Sequence, residues 1–153
     1  MKNRILTNLS EIDGIIKKCL FCHVAMVDQN GLPYVLPLNF GYNDGIVYLH
    51  SSQHGKKIDI LKNNNNVIVA FSTDHLLRFQ SEDVACSYSM KYRSVLASGK
   101  VEFIEDPEQK MIALNFIMKQ YSPKEFSYNM PSIHEVCCWK IVLEKIEGRV
   151  YGY

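Results

Sequence analysis

Residues 22–50 read CHVAMVDQNGLPYVLPLNFGYNDGIVYLH. Three stretches rich in β-branched and aromatic residues are separated by two turn signals, Asp28-Gln29-Asn30-Gly31 and Asn43-Asp44-Gly45. Asn-Gly and Asp-Gly pairs supply the positive φ angles that tight hairpins require. The spacing predicts a β-meander with strands over 22–27, 33–42 and 46–50. Pro33 and Pro37 fall inside the second run. A proline cannot donate to a strand ladder, so that strand belongs at a sheet edge or is locally irregular.

Working outward, the pattern changes after His50. Ile58, Ile60 and Leu61 suggest a short helix ending near Asn63, with a turn over 63–66. A strand over 67–73, a polar excursion through Arg78 and Ser81, and a further strand over 84–88 follow. From Ser94 to Ile104 the alternation sets Val95, Ala97, Gly99, Val101 and Phe103 on one face. Asp106-Pro107-Glu108 opens a helix over 106–121, with the acid as cap and proline at the first position. Its buried stripe is expected at Met111, Leu114, Ile117, Met118 and Tyr121. A long strand over 136–146 holds Trp139. Upstream, Ser10 reads as the cap of an N-terminal helix within residues 1–18. Many antiparallel strands and few helices predict a single domain over 1–153, mainly β, a barrel with peripheral helices.

The 153 residues are 47% hydrophobic and 22% charged, with a net charge of +1. That balance lacks the basic footprint of a nucleic-acid binder. No segment approaches the roughly twenty apolar residues needed to span a bilayer, and no signal sequence is seen at the start. We therefore expect a cytoplasmic protein with no membrane partner, and reduced thiols for its five cysteines. Cys19-Leu20-Phe21-Cys22-His23 spells the C-x-x-C-H of covalent haem attachment. Here the motif precedes a strand, whereas a redox pair favours a helix N-terminus. Cys137 and Cys138, being adjacent in a strand, point to opposite faces and converge poorly on a metal. Buried structural thiols are the expectation, with no metal site.

The segment His50-Ser51-Ser52-Gln53-His54-Gly55-Lys56-Lys57 carries the chemistry. A strand ends, two hydroxyls follow, glycine allows close backbone approach, and lysines open a helix. Free amides at a helix start, with the positive end of its dipole, suit a phosphate. The competing reading is a polar loop with solvated lysines. His54 and His134 read as exposed.

In their order, Gly31-x-Pro33-Tyr34-Val35-x-Pro37-Leu38-Asn39-Phe40, Val47-Tyr48-Leu49-His50-Ser51-Ser52, Gly55-Lys56-Lys57, Tyr92-x-Ser94-Val95 and Gly99-x-Val101 resemble one family. It is the flavin-binding split barrels related to pyridoxamine 5'-phosphate oxidase, and within them the nitroimidazole-resistance branch. The resemblance implies a six-stranded antiparallel split β-barrel, a homodimer with FMN at its interface. It implies that Leu38, Asn39 and Phe40 lie along the isoalloxazine. Ser51, Ser52, Lys56 and Lys57 would hold the phosphate, and Ser94 and Val95 would touch the cofactor or the partner subunit. His50 would bind beside the ring and serve as the catalytic residue. The same loop would accept FAD. True pyridoxamine-phosphate oxidases carry a basic C-terminal segment; here residues 147–153 hold only Arg149. The expected activity is thus an FMN-dependent reductase acting on a nitroaromatic or other small acceptor, with a non-catalytic flavin carrier or sensor as the alternative.

Overall fold

The computed structural model describes residues 3–153. In chain order the elements are β1 (Asn3–Leu6), α1 (Leu9–Lys18), β2 (Cys22–Val27), β3 (Pro33–Leu38), β4 (Gly41–Asn43) and β5 (Ile46–Ser51). After these come α2 (Lys56–Asn63), β6 (Asn66–Arg78), β7 (Ser89–Ile104), α3 (Pro107–Tyr121), α4 (Met130–Glu135) and β8 (Cys137–Tyr151). All strands join one antiparallel sheet in the order β3-β2-β6-β7-β8-β5-β4, with β1 on β8. β2, β3, β5, β6, β7 and β8 form the six-stranded framework, and β1 and β4 are short additions. The sheet curls around a core of Val24, Met26, Phe40, Leu49, Val69, Phe71, Val95, Trp139 and Ile141, all at most 2% exposed. Its two edges, β3 and β4, are successive in the chain and do not pair with each other. The result is a split barrel.

The meander is present, with two refinements. Asp28 organises the first turn: its carboxylate accepts from the Asn30 and Leu32 amides, and Gly31 takes φ 79°. The second turn has Asp44 at φ 47° and Gly45 at φ 75°, the two positive angles of a tight hairpin. The run expected as one strand over 33–42 is broken at Asn39-Phe40. β3 pairs with β2, whereas β4 pairs with β5. The prolines do sit on an edge strand, Pro33 opposite Val27 and Pro37 opposite His23.

Five other expectations change. Residues 3–6 form β1 against β8, so the N-terminal helix begins only at Leu9; Met1 and Lys2 lie outside the described residues. Its cap is Asn8, whose side chain accepts from Ser10 and Glu11, so Ser10 is inside the helix. The polar excursion through Arg78 belongs to β6, which continues past a bulge at Asp74 (φ 55°), while the strand expected over 84–88 is a single 3₁₀ turn at Ala85–Ser87. In α3 the buried ridge is Lys110, Ala113 and Ile117. Tyr121 instead points its hydroxyl at the backbone of Phe40 and Leu20.

Helices fill the openings. α1 buries Ile12, Ile15 and Ile16 near Ser72 and Asp74, and α2 buries Ile58, Ile60 and Leu61 at the opposite end of β6. α3 lies across β4 and β5, where Gly41 makes the contact possible: a Cβ there would stand 2.3 Å from the Phe116 carbonyl carbon. No helix among the described residues is long and apolar enough to cross a membrane.

The cysteines are buried or half-buried except Cys86. Cys19 Sγ donates to the Ile15 carbonyl and Cys22 Sγ to that of Leu38. Burial pushes the thiol pKa of Cys19 to about 11, of Cys22 to about 12 and of Cys138 to about 11. Thiolates at these positions are disfavoured.

Candidate functional site: a cleft at the split

The site forms where the two sheet edges part. Pairing between β4 and β5 starts at Gly41 opposite Tyr48. Extending that register would set Asn39 opposite His50, yet the chain there has turned away to join β2. Leu38 and Asn39 thus stand on one side of the split, and His50, Ser51 and Ser52 on the other. Asn39 and His50 are exposed, Leu38 and Ser51 half-buried. Tyr121 fixes the turn, accepting from the Phe40 amide at 3.0 Å while donating to the Leu20 carbonyl at 2.9 Å.

The start of α2 joins the two sides. The Lys56 ammonium lies 4.7 Å from the centroid of the Tyr34 ring on β3, a cation–π contact. Gly55 occupies the cap position at φ 118°, ψ 170°, with no side-chain capping bond. Its carbonyl accepts from Ile58 and Asp59, and no side chain caps the amides that open the helix. Nothing lies within 4 Å of where a Gly55 Cβ would be. Open amides, two lysines and a bare backbone are the donor set that a phosphate monoester needs. The hydroxyls close the loop on itself: Ser51 Oγ donates to the Ser52 carbonyl and Ser52 Oγ to the His54 carbonyl, so each must turn to bind an anion.

His50 is the ionisable group at the strand end. Desolvation by the surrounding protein lowers its imidazole pKa, although the side chain reaches the surface. Its backbone pairs with Cys138. His54 and His134 are exposed, as the sequence predicts.

Not every expected residue reaches the cleft through its side chain. Phe40 is fully buried and packs edge-to-face on Phe71, 5.2 Å between centroids. Val95 is also fully buried. Ser94 is on the outer face of β7, opposite Ser72 and Arg149. Ser51 pairs with Cys137, whose neighbour Cys138 pairs with Ile104. Ten residue steps of β7 separate Ile104 from Ser94, roughly 33 Å of extended strand. Within one subunit Ser94 and the phosphate loop are far apart. Sequence reasoning missed Tyr34 and Tyr121, which position Lys56 and the Asn39–Phe40 turn. An excess of tyrosine was visible in the sequence, but no local pattern marks those two.

Comparison with known proteins agrees with this architecture. Residues 8–150 match the family model described as pyridoxamine 5'-phosphate oxidase. A candidate 5-nitroimidazole antibiotic resistance protein from Bacteroides thetaiotaomicron is 42% identical, with TM-score 0.87 over 97% of this chain and 87% of that one. The flavocytochrome Anf3 from Azotobacter vinelandii is 21% identical, with TM-score 0.82 over 97% of this chain and 70% of its own. An FAD-binding protein from Mesorhizobium loti is 23% identical, with TM-score 0.71 over 99% and 100%. The latter two likenesses concern the fold. Comparison with curated proteins finds no match. The split between β3 and β4, the order of strands around it and the match over 8–150 make this chain a member of the pyridoxamine 5'-phosphate oxidase family.

Proposed function

We propose that the protein is an FMN-dependent oxidoreductase that reduces a nitroimidazole or a similar small acceptor. The observation that carries this is the uncapped, lysine-bearing start of α2, whose Lys56 reaches Tyr34 on the edge strand β3. Likeness to the Bacteroides resistance protein at 42% identity supports the acceptor class. The flavocytochrome and the FAD-binding protein, named for such ligands, support a flavin.

Bound flavin supplies the electron transfer; the residues of this chain bind and orient it. Lys56, Lys57 and their amides hold the phosphate, with Ser51 and Ser52 turning their hydroxyls toward it. Leu38 and Asn39 line the ring's side of the cleft, and Phe40 and Val95 support it from the core. His50, whose imidazole desolvation biases toward the neutral form, faces the acceptor and can accept a hydrogen bond from it or relay a proton to it. The phosphate loop would also accommodate FAD, whose adenine half would extend beyond it.

A homodimer with the flavin at its interface fits the exposed apolar residues beside β3. Val27, Val35, Ile68 and Leu96 are 41–61% exposed on neighbouring strands of the outer face. An apolar patch on one sheet face suits a subunit contact. Ser94 lies on that same face, where it would serve the partner's flavin.

The test is the visible spectrum of the purified protein and the mass of the pigment released on denaturation. A flavin spectrum with the mass of FMN supports the reading, and a colourless protein that takes up no added FMN removes it. Anaerobic mixing of reduced protein with a nitroimidazole then separates reductase from carrier: rapid reoxidation supports the enzyme, none the carrier.

A further inference from the structure

A second cavity of about 390 Å³ shares no lining residue with Leu38, Asn39, Lys56 or Lys57. It lies between the end of β7, the first turn of α3, α4 and residues 53–54, and Gln53 Nε2 braces it by donating to the His134 carbonyl. Lys110 is its unusual member. The side chain is 7% exposed, the one charged residue among the buried set. Its ammonium donates to the carbonyls of Ile133 at 3.3 Å and Val136 at 2.8 Å. An ammonium has three N–H groups, so one remains. No carboxylate pairs with it among the described residues.

A buried cation is costly unless its charge is answered. The two carbonyls, at the C-terminal end of α4, answer part of it. The rest of the lining indicates what would complete it. Phe103 and Val136 offer apolar surface; Lys62, His54 and His134 stand at the exposed rim. Glu105 is also on the rim and disfavours a dianion. A single free N–H in a largely polar lining, with Phe103 and Val136 as its apolar part, matches a monoanion that carries a small apolar group.

We propose that this cavity binds a small organic monocarboxylate, its carboxylate on Lys110 and its apolar body against Phe103 and Val136. The cavity shares Gln53 and His54 with the loop that leads into α2, but neither of that loop's lysines.

The experiment is a titration of the purified protein with sodium benzoate, followed by ¹H–¹⁵N spectra, against sodium chloride at equal ionic strength and inorganic phosphate. Saturable shifts confined to amides around His54, His134 and Val136, with phosphate weaker than benzoate, are expected. Lys110→Met should weaken benzoate about tenfold or more, the loss of a charge-assisted hydrogen bond. Lys57→Ala should leave it unchanged. Should Lys110→Met fail to fold, Lys62→Glu on the exposed rim supplies the test, with about threefold weaker binding expected. Shifts equal to those with chloride, shifts scattered over the surface, tighter binding of phosphate, or full affinity in both variants would overturn the proposal.

Discussion

At the scale of single residues, the account makes separable demands on Lys57, His50 and Gly41. If Lys57 holds the phosphate, Lys57→Ala should lower flavin affinity by about tenfold or more, the size of a charge-assisted hydrogen bond. Flavin-to-protein ratio after dialysis measures it, and an unchanged ratio removes the assignment. His50→Ala should reduce turnover with a nitroimidazole more than it reduces flavin retention; equal activity would dismiss a catalytic role. The lowered pKa of His50 also has a sign in stability. The folded state binds its proton less readily than the unfolded chain, so the group's contribution is complete above about pH 6.5 and is lost as the pH falls below that. His50→Gln should therefore lose less Tm than the wild type on acidification. Gly41→Ala would drive a Cβ into the backbone of α3, 2.3 Å from the Phe116 carbonyl carbon. Steric overlap with backbone cannot relax by a rotamer change, and we expect several kcal/mol of destabilisation or no soluble protein.

At the scale of elements, the cysteine-bearing segments offer a direct check. Cys19 and Cys22 flank the entry to β2, and Cys138 lies within β8; all three are buried with raised pKa values. A thiol reagent should react quickly at Cys86, slowly at half-buried Cys137, and at the other three only after denaturation. Rapid reaction of all five would contradict the packing of α1 on the barrel. Much of this level was legible in the sequence, because period-2 alternation and turn residues are local signals. The β7 face, the two glycine turns and the Asp106 cap with Pro107 all appear where the pattern puts them. Tertiary contacts decided the rest. β1 exists because β8 offers it an edge, and β6 continues through Arg78 because β7 pairs with it beyond the bulge. α3 turns Lys110 inward because the end of α4 supplies carbonyls for its ammonium. The partners of β1 and of Lys110 are far away in sequence.

At the scale of the whole molecule, one curled sheet turns an edge defect into a site. The proline-bearing strand cannot be paired on both sides, and the break at Asn39–Phe40 moves the chain from one edge to the other, opening the cleft between them. The strand order around the sheet and the Tyr34–Lys56 contact are non-local, and sequence pattern alone could not supply them; the lysine-bearing loop is legible because strand, hydroxyls, glycine and helix start are contiguous. The outer apolar face makes the expected assembly testable. Leu96→Glu or Ile68→Glu should shift sedimentation from dimer toward monomer and lower flavin retention together, since charges in an apolar subunit contact are strongly disfavoured. A wild-type protein that sediments as a monomer with full flavin would refute the interfacial site. The most direct measurement is a crystal structure of the protein grown with FMN. The account predicts the phosphate within hydrogen-bonding distance of the Lys56 and Lys57 amides, with the ring beside Leu38 and Asn39; FMN bound elsewhere, with the start of α2 facing only solvent, would contradict it.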